Sequence, residues 1–119
     1  IDTPGWRRAW GIFDSNNIIG SADIAGGDLP TSLHRVDLGI GIMKEYRNLG
    51  WGVKLLTTII NWCKEQSSIS WIDLGVFSGN DIAKIVFKKV GFQEIGYKKD
   101  AWFVDGISID ETSMSVSVR

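Results

Sequence analysis

The segment "EYRNLGWGVKLL", residues 45 to 56, carries the strongest chemical signal in the chain. Arg47, Gly50 and Gly52 stand in an R-x-x-G-x-G spacing, immediately before an apolar run of helical period. A turn that enters a helix presents unpaired backbone N–H groups beside the positive end of the helix dipole. Glycines there let the main chain approach a phosphate closely and Arg47 adds charge, so the spacing suits a pyrophosphate cradle. The same glycines equally suit a tight strand-to-helix turn that binds nothing. Neither common nucleotide motif is present: no G-x-G-x-x-G follows a strand, and no G-x-x-x-x-G-K-[ST] occurs.

Composition makes any anion site a local affair. Thirteen Lys and Arg against fourteen Asp and Glu give a formal net charge of -1, which offers no general attraction for nucleic acid or an anionic membrane. Neither is expected as a partner. Cys63 is the only cysteine and His34 the only histidine, which excludes a disulfide framework and a cysteine- or histidine-rich metal site. No metal is expected. No apolar run approaches the roughly 18 residues of a membrane span and no secretory leader is visible, so the reading is a cytoplasmic soluble domain. At 119 residues the chain is sized for a single domain, 1–119.

The elements that would place the turn follow from hydrophobic period. "RRAWGIFD" and "IIGSADIA" flank the turn-like "SNN" and predict a hairpin. In "RVDLGIGIM", Val36, Leu38, Ile40 and Ile42 share one strand face and Asp37, Gly39 and Gly41 the other. That second face is almost without side chains, which predicts a bulge or the close approach of something to the backbone. Leu55, Leu56, Ile59, Ile60 and Cys63 recur at helical spacing. "WIDLGVF" then predicts the second strand of a parallel β-α-β crossover. A further helix is capped by Asn80 or Asp81, has apolar positions Ile82, Ala83, Val86, Phe87 and Val90, and stops at Gly91. Asp105-Gly106 is a strong hairpin signal between two last strands. The order ββ, β, α, β, α, ββ predicts an α+β fold: a mixed, mostly antiparallel sheet with a central β-α-β unit and helices packed on it.

Two motifs in this order resemble the GNAT superfamily of acetyl-CoA-dependent N-acetyltransferases. "YRNLGWG" is similar to its Q/R-x-x-G-x-G/A motif, and "VFSGNDIAKIVFKKVGF" to its V-x-x-x-N-x-x-A-x-x-x-Y-x-K-x-G-F motif. The closing "VDGISIDETSM" is similar to the branch of ribosomal-protein and spermidine acetyltransferases. The resemblance implies acetyl-CoA as co-substrate and a primary amine as acceptor: a small amine, an amino acid or a protein N-terminus. It also implies contacts. Main-chain groups of Ile40, Gly41 and Ile42 would pair with the pantetheine arm. Arg47 and the amides of Asn48, Leu49, Gly50, Trp51, Gly52 and Val53 would hold the pyrophosphate. Asn80 would touch the cofactor arm, a role compatible with capping its helix. Phe87 stands where many members have a tyrosine that protonates the departing thiolate, and a phenyl ring cannot do so.

Transfer to an amine needs the nitrogen oriented against the thioester, a proton removed and an oxyanion stabilised. A backbone N–H of "GIGIM" can serve the oxyanion. Asp37 is the candidate base, directly or through water; its alternative is a solvated surface carboxylate. His34, Tyr46 and Tyr97 can also move protons but read first as exposed or structural groups, and Cys63 as core. The tryptophans read mostly as packing, with Trp51 partly exposed beside the cofactor. The absence of a tyrosine at Phe87 keeps open a catalytically weak acyl-CoA-binding regulatory module of the same fold. Members usually carry a strand and two helices ahead of the hairpin at residues 7 to 25, so either a longer polypeptide or a homo-oligomer is expected to complete the acceptor side.

Overall fold

The computed structural model describes residues 1–43 and 47–119; Tyr46 lies outside the described residues. Strands β1 (Arg7–Asp14) and β2 (Asn17–Gly26) form the expected hairpin, closed by the pair Asp14↔Asn17. Strand β3 (Arg35–Ile42) leads to helix α1 (Trp51–Glu65), strand β4 (Trp71–Phe77) and helix α2 (Asp81–Lys89). Strands β5 (Gln93–Val104) and β6 (Ile107–Ser117) are joined at Asp105-Gly106, where both residues have positive φ (51° and 78°), as a two-residue type I′ turn requires. The six-stranded sheet has the order β1-β2-β3-β4-β6-β5. Among its neighbouring pairs only β3 and β4 run parallel.

Alternation along the strands sorts the sheet into two unlike faces. Ile24, Val36, Leu38, Ile72, Leu74 and Met114 form one core with the buried stripe Leu55, Leu56, Ile59, Ile60 and Cys63 of α1. The stripe follows the helical spacing read from the sequence. Phe87 of α2 and Phe92 after it join the same cluster, their rings 5.8 Å apart and edge-on. Gly91 (φ 107°) lets the chain turn there, with Phe92 N–H donating to Phe87 O and Gly91 N–H to Lys88 O, both at 3.1 Å. The opposite face carries Arg35, Asp37, Asp73, Ser113 and Ser115, and neither helix packs on it.

Two packing expectations need correction. Ile82 is exposed instead of packed, because the first turn of this nine-residue helix overhangs a cleft and not the sheet. Tryptophans divide: Trp6, Trp10 and Trp62 pack together at ring separations of 6.2 and 5.6 Å, whereas Trp71 and Trp102 are substantially exposed on the face the helices leave open. Among the described residues no helix is long and apolar enough to cross a membrane.

Candidate active site

Strands β3 and β4 pair at Arg35↔Trp71, Val36↔Ile72 and Asp37↔Asp73, and then part. Both strands continue for several residues, β3 held by β2 and β4 by β6, so the gap is walled by ordered backbone. A cavity of about 690 Å³ opens there, bounded by Ile40, Gly41, Gly50, Asn80 and Phe87 among others. Met43 N–H bonds to Ile19 O on β2, and strand alternation therefore turns the N–H and C=O of Leu38, Ile40 and Ile42 the other way, into the gap. Ile42 O accepts from Arg47 Nε at 3.0 Å. The polar groups of Gly41 face β2, so Gly41 contributes room, and Ile40 and Ile42 contribute hydrogen-bonding edges.

The turn ahead of α1 supplies donors. Asn48 (φ 65°) and Gly50 (φ 84°) are left-handed, and Gly50 is the N-cap without any side-chain cap. The first-turn N–H groups of Trp51, Gly52 and Val53 have no intrahelical acceptor and sit at the positive helix end. A Cβ at Gly41 or Gly50 would meet nothing within 4 Å, so the backbone is bare toward open space. This arrangement fits a pyrophosphate-bearing ligand. Arg47, Asn48, Gly50, Gly52 and Val53 all line the cavity. Leu49 and Trp51 do not: Leu49 points to solvent, and the Trp51 ring lies under Lys54 Nζ at 4.9 Å. Only their backbone amides remain candidates.

Across the cavity, Asn80 Oδ1 accepts from Ala83 N–H at 3.4 Å, so the cap is formed while the residue still lines the cleft. Phe87 is buried in the cavity wall and brings no proton donor.

Asp37 does not line this cavity. It borders a second hollow of about 410 Å³ on the open face of the sheet, together with Arg35, Asp73, Glu111 and Ser113. The two hollows share Leu38, Leu74 and Gly75, the residues at the parting of β3 and β4. Asp37 is exposed on the open face, yet partial desolvation by its neighbours, then repulsion from Asp73, pushes its carboxyl above its ordinary range, against a smaller pull from Arg35. Asp73 goes the other way. Burial would raise it, but Arg35 grips both its oxygens (2.8 and 2.6 Å), Ser115 donates as well, and together they hold it below the usual range. Tyr97 donates to Asp110, a bond that raises the phenol, and His34 is exposed. Neither lines either hollow. Burial pushes the Cys63 thiol up to about 11, consistent with a core role.

Glu111 carries no local signal in the sequence, since it reaches the site through an inter-strand register that no local spacing encodes. The only advance signal was Gly75 itself: a glycine in an apolar strand often marks a place where another group lies against the backbone.

Residues 2–92 match the sequence model of the "Acetyltransferase (GNAT) family". The chain is 28% identical over 114 residues to an L-amino acid N-acetyltransferase of Escherichia coli, covering 96% of this chain and 70% of that protein. Its fold superposes with a TM-score of 0.89 on a GNAT-family acetyltransferase from Streptococcus pneumoniae, at 26% identity over 95% of this chain and 67% of that one. It also superposes on yncA of Salmonella typhimurium, a structure with its cofactor acetyl-CoA, with a TM-score of 0.82 at 17% identity over 89% of this chain and 61% of that one.

Proposed function

The chain belongs to the GNAT acetyltransferase family, and we propose that it transfers the acetyl group of acetyl-CoA directly to a primary amine. The observation that carries this reading is the parting of β3 and β4 beyond Asp37↔Asp73, opposite a glycine-capped helix start. Acetyl-CoA supplies the thioester carbon that the amine attacks. In this reading the amides of residues 48 to 53 and Arg47 hold its pyrophosphate, while the edge of β3 at Ile40 and Ile42, which β4 leaves unpaired, pairs with its amide-bearing arm. An N–H on the same edge, at Leu38 or Ile40, faces the position where negative charge develops on the carbonyl oxygen.

The acceptor enters from the open face of the sheet, through the second hollow. Asp37 is the proposed base there, taking the proton directly or through water. Its raised affinity for a proton, caused first by partial desolvation, suits that task better than the Arg35-bound Asp73. Acetyl transfer to an amino acid would match what the Escherichia coli relative is named for; a small amine or a protein N-terminus has the same reacting group. The unpaired, buried Cys63 is compatible with a reducing, cytoplasmic setting.

Phe87 favours a second reading, a weakly catalytic acyl-CoA-binding module, because the cavity wall there has no acid for the leaving thiolate. Incubation with labelled acetyl-CoA and a panel of small amines, amino acids and peptides separates the two. Label on an acceptor at enzymatic rates supports the transferase. Tight CoA binding with no transfer across the panel supports the module.

A further inference from the structure

Gly75 lines both hollows, and a Cβ built on it would come within 2.5 Å of Glu111 Oε1. The Glu111 carboxylate therefore lies against the bare backbone of β4 at the passage between the cofactor cavity and the open face. Glu111 is half-buried, and its Cα partner on β4 is Phe77. Trp102 Nε1 donates to Glu111 Oε1 at a long 3.5 Å, and the rings of Trp102 and Phe77 stand 6.2 Å apart. Both rings are about half exposed, at 52% and 47%. Lys98 is the Cα partner of Glu111 on β5 but forms no ion pair with it, since the ion pairs of the described residues lie elsewhere. Asp73, by contrast, is already engaged by Arg35 and Ser115. Glu111 thus brings a negative charge, compensated by one long indole hydrogen bond, to the mouth of the reaction site beside the Phe77–Trp102 ring pair. A carboxylate beside exposed aromatic rings is a combination that holds an organic ammonium.

We propose that Glu111 is a specificity-determining residue: it seats the ammonium of the incoming amine at the passage, with the amine's apolar body against Phe77 and Trp102. This rests on the acetyl-transfer reading above. The acceptor class it names is a primary amine attached to an apolar or aromatic group. The amine arrives protonated on Glu111 and gives one proton to Asp37, directly or through water. Its nitrogen lone pair then forms the N–C bond to the acetyl carbon as the C–S bond breaks and the thiolate leaves with CoA. The second nitrogen proton is lost to solvent from the acetylated, cationic product.

Phenethylamine is the probe, and ethylamine its counterpart without the ring. Two measurements are made on wild type, Glu111→Gln and Trp102→Ala: acetylation kinetics, and calorimetric binding of each amine to CoA-loaded protein. Glu111→Gln keeps the size and the indole acceptor, and unchanged melting verifies the fold. The expected result is a rise of about tenfold or more in both KM and Kd for phenethylamine, with kcat within about twofold. Trp102→Ala should weaken phenethylamine severalfold more than ethylamine; an equal effect on both would overturn the contact with the amine's apolar body. Unchanged KM and Kd in Glu111→Gln would overturn the proposal, and so would a fall in kcat at constant KM, which would make Glu111 the base. Glu111-dependent binding without any acetylation would refute the transferase reading while supporting the ammonium seat.

Discussion

Asp37 and Asp73 face each other across the last paired rung of β3 and β4, and their surroundings shift their carboxyl groups in opposite directions. Partial desolvation and the neighbouring charge raise the exposed Asp37, whereas the two-pronged grip of Arg35 and the Ser115 hydroxyl lower Asp73 despite its desolvation. One rung thus holds a carboxylate kept charged by Arg35 and Ser115 beside another whose surroundings favour its neutral form, at the point where the sheet opens.

The Asp37 shift makes a stability prediction with a sign. A carboxyl whose folded pKa lies above its unfolded value of 3.8 destabilises the fold once ionised, so this cost appears as pH rises through the folded value. Asp37→Asn should therefore melt higher than wild type at pH 7, and the difference should vanish as pH falls below 3.8. Turnover of the same variant should fall about a hundredfold if Asp37 is the base, with CoA affinity retained. Melting curves across pH and steady-state rates read both effects.

Asp73→Asn should behave in the opposite sense. Its lowered pKa contributes stability that is present above 3.8 and is lost as pH falls through the folded value. At neutral pH the variant should lose about 1–2 kcal/mol, since the Arg35 guanidinium keeps a hydrogen-bond partner but loses the opposing charge. Denaturant titration at pH 7 and at pH 3 checks this: the gap between wild type and variant should be smaller at pH 3 than at pH 7.

Much of this arrangement is legible in the residues alone. The apolar stripe from Leu55 to Cys63, the Asp105-Gly106 turn and the Gly91 stop are local patterns, and local geometry realises each of them. The turn at Gly50 is equally local. What the chain does not announce is where two strands stop pairing. The glycine-rich face of β3 predicts a bulge or a close approach to its backbone, but only register shows that β3 and β4 part after Asp37↔Asp73. The same holds for side chains brought together across the sheet. Arg35 meets Asp73 from 38 positions away, and Glu111 lies over Gly75 through β6. Strand period puts Asp37 on the face of Gly39 and Gly41, but period alone does not show that this face turns away from the cradle.

Gly50 supports a separate prediction about the turn. Its φ of 84° is costly for any residue with a Cβ, so Gly50→Ala should destabilise the apo protein by about 1 kcal/mol even though the added methyl meets no neighbour. Chemical denaturation without ligand measures that cost. No change would mean the turn relaxes to another conformation.

Phe87→Tyr tests whether thiolate departure lacks an acid. The ring lines the cavity and is held edge-on to Phe92, so the variant adds a proton donor to a residue of the cavity wall. Turnover should rise severalfold for acyl donors with poorly leaving thiols and hardly at all for acetyl-CoA. Equal rates for every donor would assign the step to unaided departure.

In the acetyl-transfer reading, the cleft between β3 and β4 takes the pyrophosphate of acetyl-CoA at the start of α1. Gly52→Glu tests it directly: a Cβ there meets only Val86, at 3.8 Å, and an acidic side chain in the first helical turn favours the helix. The variant should therefore stay folded, while its carboxylate repels the phosphates. Wild type with CoA at about a hundred times its dissociation constant should gain roughly 2.7 kcal/mol, and Gly52→Glu at the same concentration should lose most of that gain. An equal ligand-induced gain in both proteins would contradict the account.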